Sequence, residues 1–117
     1  MDELILRITA QTKGIPAMVQ ALATIMFQAK LEAGCVGCHL YTENGNPRAL
    51  RYVEQWATRK DLDVQIRSPR FSALLAIMET APEAPDLEIR NGSEQHGLEY
   101  VRALRLKGEN GAGKKVT

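Results

Sequence analysis

The stretch Arg51-Tyr52-Val53-Glu54-Gln55-Trp56-Ala57 limits what this chain can fold into more than any other. It is rich in aromatic and β-branched residues, holds the only tryptophan, and ends at Thr58, a residue type that starts helices. As a strand it alternates, so Tyr52, Glu54 and Trp56 share one face while Arg51, Val53 and Gln55 share the other. One carboxylate therefore lies between two aromatic rings. If helices cover that face, Glu54 must be hydrogen-bonded, paired or protonated, because an isolated buried carboxylate is expensive. Apolar walls with a few polar groups also describe a small-molecule pocket, which makes this strand a candidate cavity floor.

The flanking segments supply the layers. Leu4 to Ala10 is a short apolar run consistent with a buried strand, interrupted only by Arg7, which needs a partner. Thr12-Lys13-Gly14 turns, and Pro16 suits the first position of a helix running to about Ala33. Ile15, Met18, Val19, Leu22, Ile25, Met26 and Ala29 give that helix a wide apolar stripe, and Gly34 is placed to end it in a left-handed conformation. Cys35 to Glu43 reads as a second strand with Val36, Cys38 and Leu40 on one face and Cys35, Gly37, His39 and Tyr41 on the other. Asn44-Gly45-Asn46-Pro47 predicts a somewhat long hairpin loop into the Trp56 strand.

Thr58 caps a short helix with Asp61 at its third position, and Ser68-Pro69 starts another, in which Phe71, Leu74, Leu75 and Met78 keep helical spacing until Pro82 and Pro85. Asp86 to Arg90 alternates as a strand and Asn91-Gly92 turns away from it. Leu98 to Leu106 reads as helix, with a fifth strand as the alternative. Residues 108–117 are too polar and glycine-rich to fold alone and are expected to be a flexible tail. The order strand, helix, strand, strand, helix, strand predicts an α+β ferredoxin-like βαββαβ domain over residues 1–107, with a core of 4–90 and an extension of 91–107. Helices would cover one face of the antiparallel sheet. The other face keeps apolar side chains, so a homodimer with sheets packed face to face is expected.

Composition narrows the function classes. With 44% hydrophobic and 25% charged residues and a net charge of +1, the chain has no field to attract nucleic acid or a membrane surface. No apolar run is long enough to span a bilayer, and Met1-Asp2-Glu3 is acidic where a secretory signal would be basic, so a cytoplasmic protein with reduced thiols is expected. Cys35-Val36-Gly37-Cys38 has the spacing of a redox pair or half a zinc site. A strand context opposes both, since residues three apart in a regular strand face opposite ways and only His39 is near as a further ligand.

Gly34-Cys35-Val36-Gly37 after a long helix, Glu54-Gln55-Trp56, and Ser68-Pro69 followed by Phe71 resemble the antibiotic biosynthesis monooxygenase family. The resemblance runs from about Leu4 to Arg90. It implies a dimeric α+β barrel and, among the activities of that superfamily, cofactor-independent oxidation of a small aromatic quinol or anthrone by O2. Many members carry a histidine where this chain has Gln65, which weakens a general-base role there. Haem-degrading relatives use a first-strand asparagine, where this chain has Arg7, and a helical histidine as iron ligand. No histidine lies between Trp56 and Ala81, so no haem is expected, and oxidation of the quinol type implies no other cofactor.

On this resemblance the catalytic candidates are Arg7 for an oxyanion, His39 or Glu54 for a proton, and Trp56 as the aromatic wall. Phe27, Tyr52, Gln65, Phe71 and Met78 are candidates for lining the substrate. Each has a plainer alternative. Arg7 could only neutralise Glu54, His39 could be satisfied in the core or at an interface, and Trp56 and Phe71 could be ordinary core. A non-catalytic dimeric binding or structural protein of the same fold is the rival reading.

Overall fold

The computed structural model describes residues 1–92 and 94–116, with side chains through Lys107. Five strands form one antiparallel sheet: β1 (Asp2–Thr9), β2 (Cys35–Glu43), β3 (Asn46–Trp56), β4 (Asp86–Asn91) and β5 (Glu94–His96), in the order β2-β3-β1-β4-β5. The helices are α1 (Ile15–Lys30), α2 (Arg59–Arg67), α3 (Pro69–Glu79) and α4 (Leu98–Val116). The first four strands with α1, α2 and α3 make the ferredoxin-like α+β arrangement. The tail expected from Gly108 lies where side chains fall outside the described residues.

Alternation sets the layers. Leu4, Leu6 and Ile8 of β1 are fully buried, as are Tyr52 and Glu54 of β3, which stand opposite Leu6 and Leu4. Leu22, Ile25 and Ala29 of α1 and Phe71, Leu74 and Met78 of α3 close over this face. Full burial of such side chains contributes about 1.5–3 kcal/mol each.

Local signals fix the ends. Thr58 Oγ1 accepts from the Asp61 amide at 3.1 Å and starts α2, and Gly34 adopts φ +88° where the chain turns from α1 into β2. β1 begins at Asp2, two residues before the apolar run, because Asp2 is held by Arg59 at 2.9 Å and Asn91 at 3.0 Å. The β2–β3 connection is tighter than the four-residue turn chemistry suggests: Gly45 turns at φ +82°, and a register slip between Thr42 and Glu43 accommodates Pro47 inside β3.

The segment past β4 adds a strand and a helix. Tyr100 Oη donates to Asp63 Oδ1 at 2.7 Å under the Arg59 guanidinium, and Arg105 donates to the Ile66 carbonyl at 2.6 Å. These contacts strap α4 to α2, with Val101 buried beneath.

Candidate functional site

Glu54 is the electrostatic centre of the covered face. Its carboxyl, with no exposed surface, accepts from three uncharged donors: Tyr52 Oη at 2.5 Å, Trp56 Nε1 at 3.1 Å and Gln65 Nε2 at 3.2 Å. Strand alternation brings the first two, residues two positions before and after, onto Glu54's side of β3. The third comes from α2, whose inner face buries Leu62, Gln65 and Ile66. Burial pushes the Glu54 carboxyl above the ordinary carboxylate range, and the three hydrogen bonds offset part of that rise. The neighbouring Tyr52 phenol is raised as well, first by burial and then by the Glu54 charge.

The cluster reaches the surface through Gln65. The Gln65 Oε1 atom accepts from Arg70 Nε at 3.2 Å and Nη2 at 3.0 Å, and Arg70 in turn pairs with Glu32 at 3.1 Å. A cleft of about 250 Å³ opens here, lined by Glu32, Ala33, Trp56, Val64, Gln65 and Arg70, among others. Trp56 is its aromatic wall and Gln65 stands between solvent and Glu54.

The other expected site residues are distributed differently. Arg7 and His39 lie on the opposite, uncovered face of the sheet. Arg7 stands across from Arg51 and Asp86, and its guanidinium makes a two-point contact with Glu43 at 2.7 and 3.2 Å. It therefore does not neutralise Glu54, which relies on uncharged donors. That pairing raises the Arg7 pKa and lowers the Glu43 pKa, the hydrogen bond between them being the first cause in both. His39 is exposed and stacks on Tyr41 at 5.9 Å. Phe27 points outward from α1, 63% exposed, with Lys30 over its ring. Phe71 is fully buried core with Arg105 at 5.8 Å from its ring, and Met78 lines a groove between α3 and α4. Tyr52 and Gln65 join Glu54 and Trp56 as expected.

Two features were missing from the sequence reading. Arg70, which reads as a solvated helix residue, is brought to Gln65 by the break between α2 and α3 at Ser68-Pro69. The second is a β-bulge: Cys35 stands opposite Trp56 and Gly37 opposite Gln55, so Val36 is extruded and 59% exposed. The bulge puts Cys35 and Cys38 on the same covered face, correcting the expectation that residues three apart point apart. Burial raises the Cys35 thiol and pushes Cys38 up to about 12, the opposite of what a reactive thiol pair requires. Among the described residues no group of three or more His, Cys, Asp or Glu could hold a metal ion, and no helix is long and apolar enough to cross a membrane.

Solved structures share this fold. One, described as an antibiotic biosynthesis monooxygenase, superimposes with a TM-score of 0.69 at 15% identity over 80% of this chain and 100% of its own. This is the antibiotic biosynthesis monooxygenase fold. A Deinococcus radiodurans protein proposed to be such an enzyme matches with a TM-score of 0.71 at 16% identity, covering 80% of this chain and 94% of that one. A conserved protein from Methanosarcina mazei matches at 0.70 and 20% identity, over 77% and 90%. No family model and no curated protein matches the sequence. The likeness is thus one of architecture.

Proposed function

We propose that the chain is a cofactor-independent monooxygenase that oxidises a small aromatic quinol or anthrone at the Trp56 cleft. The observation that carries this reading is Glu54, a fully buried carboxyl with a raised pKa behind a cleft walled by Trp56 and Gln65. A group poised above the usual carboxylate range is a better proton acceptor for a weakly acidic phenol or benzylic C–H than an ordinary glutamate. The fold shared with proteins described as monooxygenases supports the reaction class.

In the reaction an electron-rich substrate loses a proton to Glu54, and the resulting anion reduces O2 directly. For an anthrone, a C–O bond forms at the methylene carbon, and the hydroperoxide expels water to leave a carbonyl. One oxygen atom enters the product, the other leaves as water, and the two methylene hydrogens leave with it. Trp56 supplies a flat wall for the ring. The Arg70 guanidinium takes the oxyanion role that the sequence alone assigns to Arg7. Access to Glu54 requires Gln65, which bonds Glu54 through Nε2 and Arg70 through Oε1, to swing aside. The partly exposed Ile5 and the exposed Tyr41 on the uncovered face support a homodimer through that face.

Oxygen uptake by purified, cofactor-free protein tests the proposal. Uptake with naphthoquinols or anthrones above autoxidation, lost in Glu54→Gln, is the expected result; a folded protein with no uptake on any of them rejects it. The complete enclosure of Glu54, with every donor engaged, favours a second reading in which the chain binds a small molecule without turning it over. Such a protein would gain thermal stability with ligand and consume no oxygen.

A further inference from the structure

A second cavity lies away from Glu54. Tyr100 and Arg105 strap α4 to α2, and on its other side α4 stands off from α3, leaving a groove of about 550 Å³. This is within the range of small-ligand pockets and about twice the volume of the Trp56 cleft. Leu75, Met78, Pro85, Leu98, Val101 and Leu106 form its apolar lining. The groove depends on α4, which lies outside the stretch from Leu4 to Arg90 that carries the family resemblance.

Charge selects the occupant. Two guanidinium groups, Arg102 and Arg105, line the groove against one carboxylate, Glu79. Arg105 is already engaged by the Ile66 carbonyl and by Ser72 Oγ at 2.7 Å. Arg102 is exposed and makes no ion pair among the described residues. An apolar groove that also carries a guanidinium without an ion pair among the described residues matches a molecule with a hydrocarbon body and an anionic head, since guanidinium pairs with carboxylate in a two-point geometry.

We infer that the α3–α4 groove is a binding site for a small amphipathic carboxylate, with its hydrocarbon body against Leu75, Met78 and Val101 and its head on Arg102. The site is independent of the oxygenase reading. Isothermal titration of the full chain with decanoate and with 1-decanol, below their aggregation limits, tests it. Decanoate should bind with a one-to-one stoichiometry and at least about tenfold more tightly than decanol. Arg102→Glu should weaken decanoate by at least about tenfold while leaving decanol within about twofold. Leu106→Glu, at a position already 57% exposed, should weaken both. Trp56→Phe, in the other cleft, should alter neither. Absence of saturable decanoate binding, equal affinity for the alcohol, or indifference to Arg102→Glu would each overturn the inference.

Discussion

The two faces of the sheet treat charge in opposite ways. On the covered face Glu54 is sealed from water, served by three uncharged donors, and raised in pKa by burial. On the uncovered face Glu43 of β2 reaches over β3 to Arg7 of β1 in solvent and is lowered in pKa by that hydrogen bond. An ion pair in water is an inexpensive device that stabilises the charged state and leaves little chemistry to do. A buried carboxyl without a counter-ion keeps its affinity for protons, which is what a proton acceptor in a dry site needs. The proposed reaction uses the carboxyl beneath the helices, and Arg7 and His39 lie on the surface opposite.

The largest test of this contrast is Trp56→Ala, which removes a buried ring and one of the Glu54 donors. It should cost ~3–5 kcal/mol in urea unfolding, and a loss below ~1 kcal/mol, typical of surface changes, would mean the covered face is not the tight core described. Gln65→Leu comes next. It strips one donor from the buried Glu54 and leaves Arg70 with Glu32 alone, so a loss of ~1–3 kcal/mol is expected by the same measurement. If Gln65→Leu is neutral, Glu54 is not held as the geometry has it.

A sharper test uses pH. Because folding raises the Glu54 pKa, the folded state holds that proton more tightly than the unfolded chain. The stabilisation is fully present below the ordinary carboxylate pKa and is lost as pH rises through the raised value. Glu54→Gln should therefore show a flatter stability profile than the wild type between about pH 4 and neutrality, whereas a wild-type curve that climbs through this window relative to the variant would reverse the sign. The smallest effect belongs to the other face: Arg7→Met should leave turnover and the urea midpoint unchanged. A slowed reaction in a folded Arg7→Met protein would bring the uncovered face back into the mechanism.

Much of this arrangement was legible in the sequence. The alternation of Tyr52, Glu54 and Trp56, the Thr58 cap and the Ser68-Pro69 restart are local patterns, and each holds. The face of Arg7 follows from parity on its own strand. It alternates with Leu4, Leu6 and Ile8, so once these are under the helices Arg7 must face away, but only the β1–β3 register shows that Glu54 is on their side. The Val36 bulge leaves no local trace, because a bulge is defined by how β2 pairs with β3. The Gln65–Arg70 contact and the α3–α4 groove depend on the angles between helices, which periodicity does not encode.

The most direct measurement is the titration of the Glu54 side-chain carboxyl by carbon-detected NMR, assigned by comparison with Glu54→Gln. The covered face predicts a midpoint above the usual glutamate value of about 4.3, with the Trp56 indole N–H resonance shifting over the same range. A midpoint at or below that value would show the carboxyl to be stabilised as an anion, and would remove the proton acceptor on which the oxygenase reading depends.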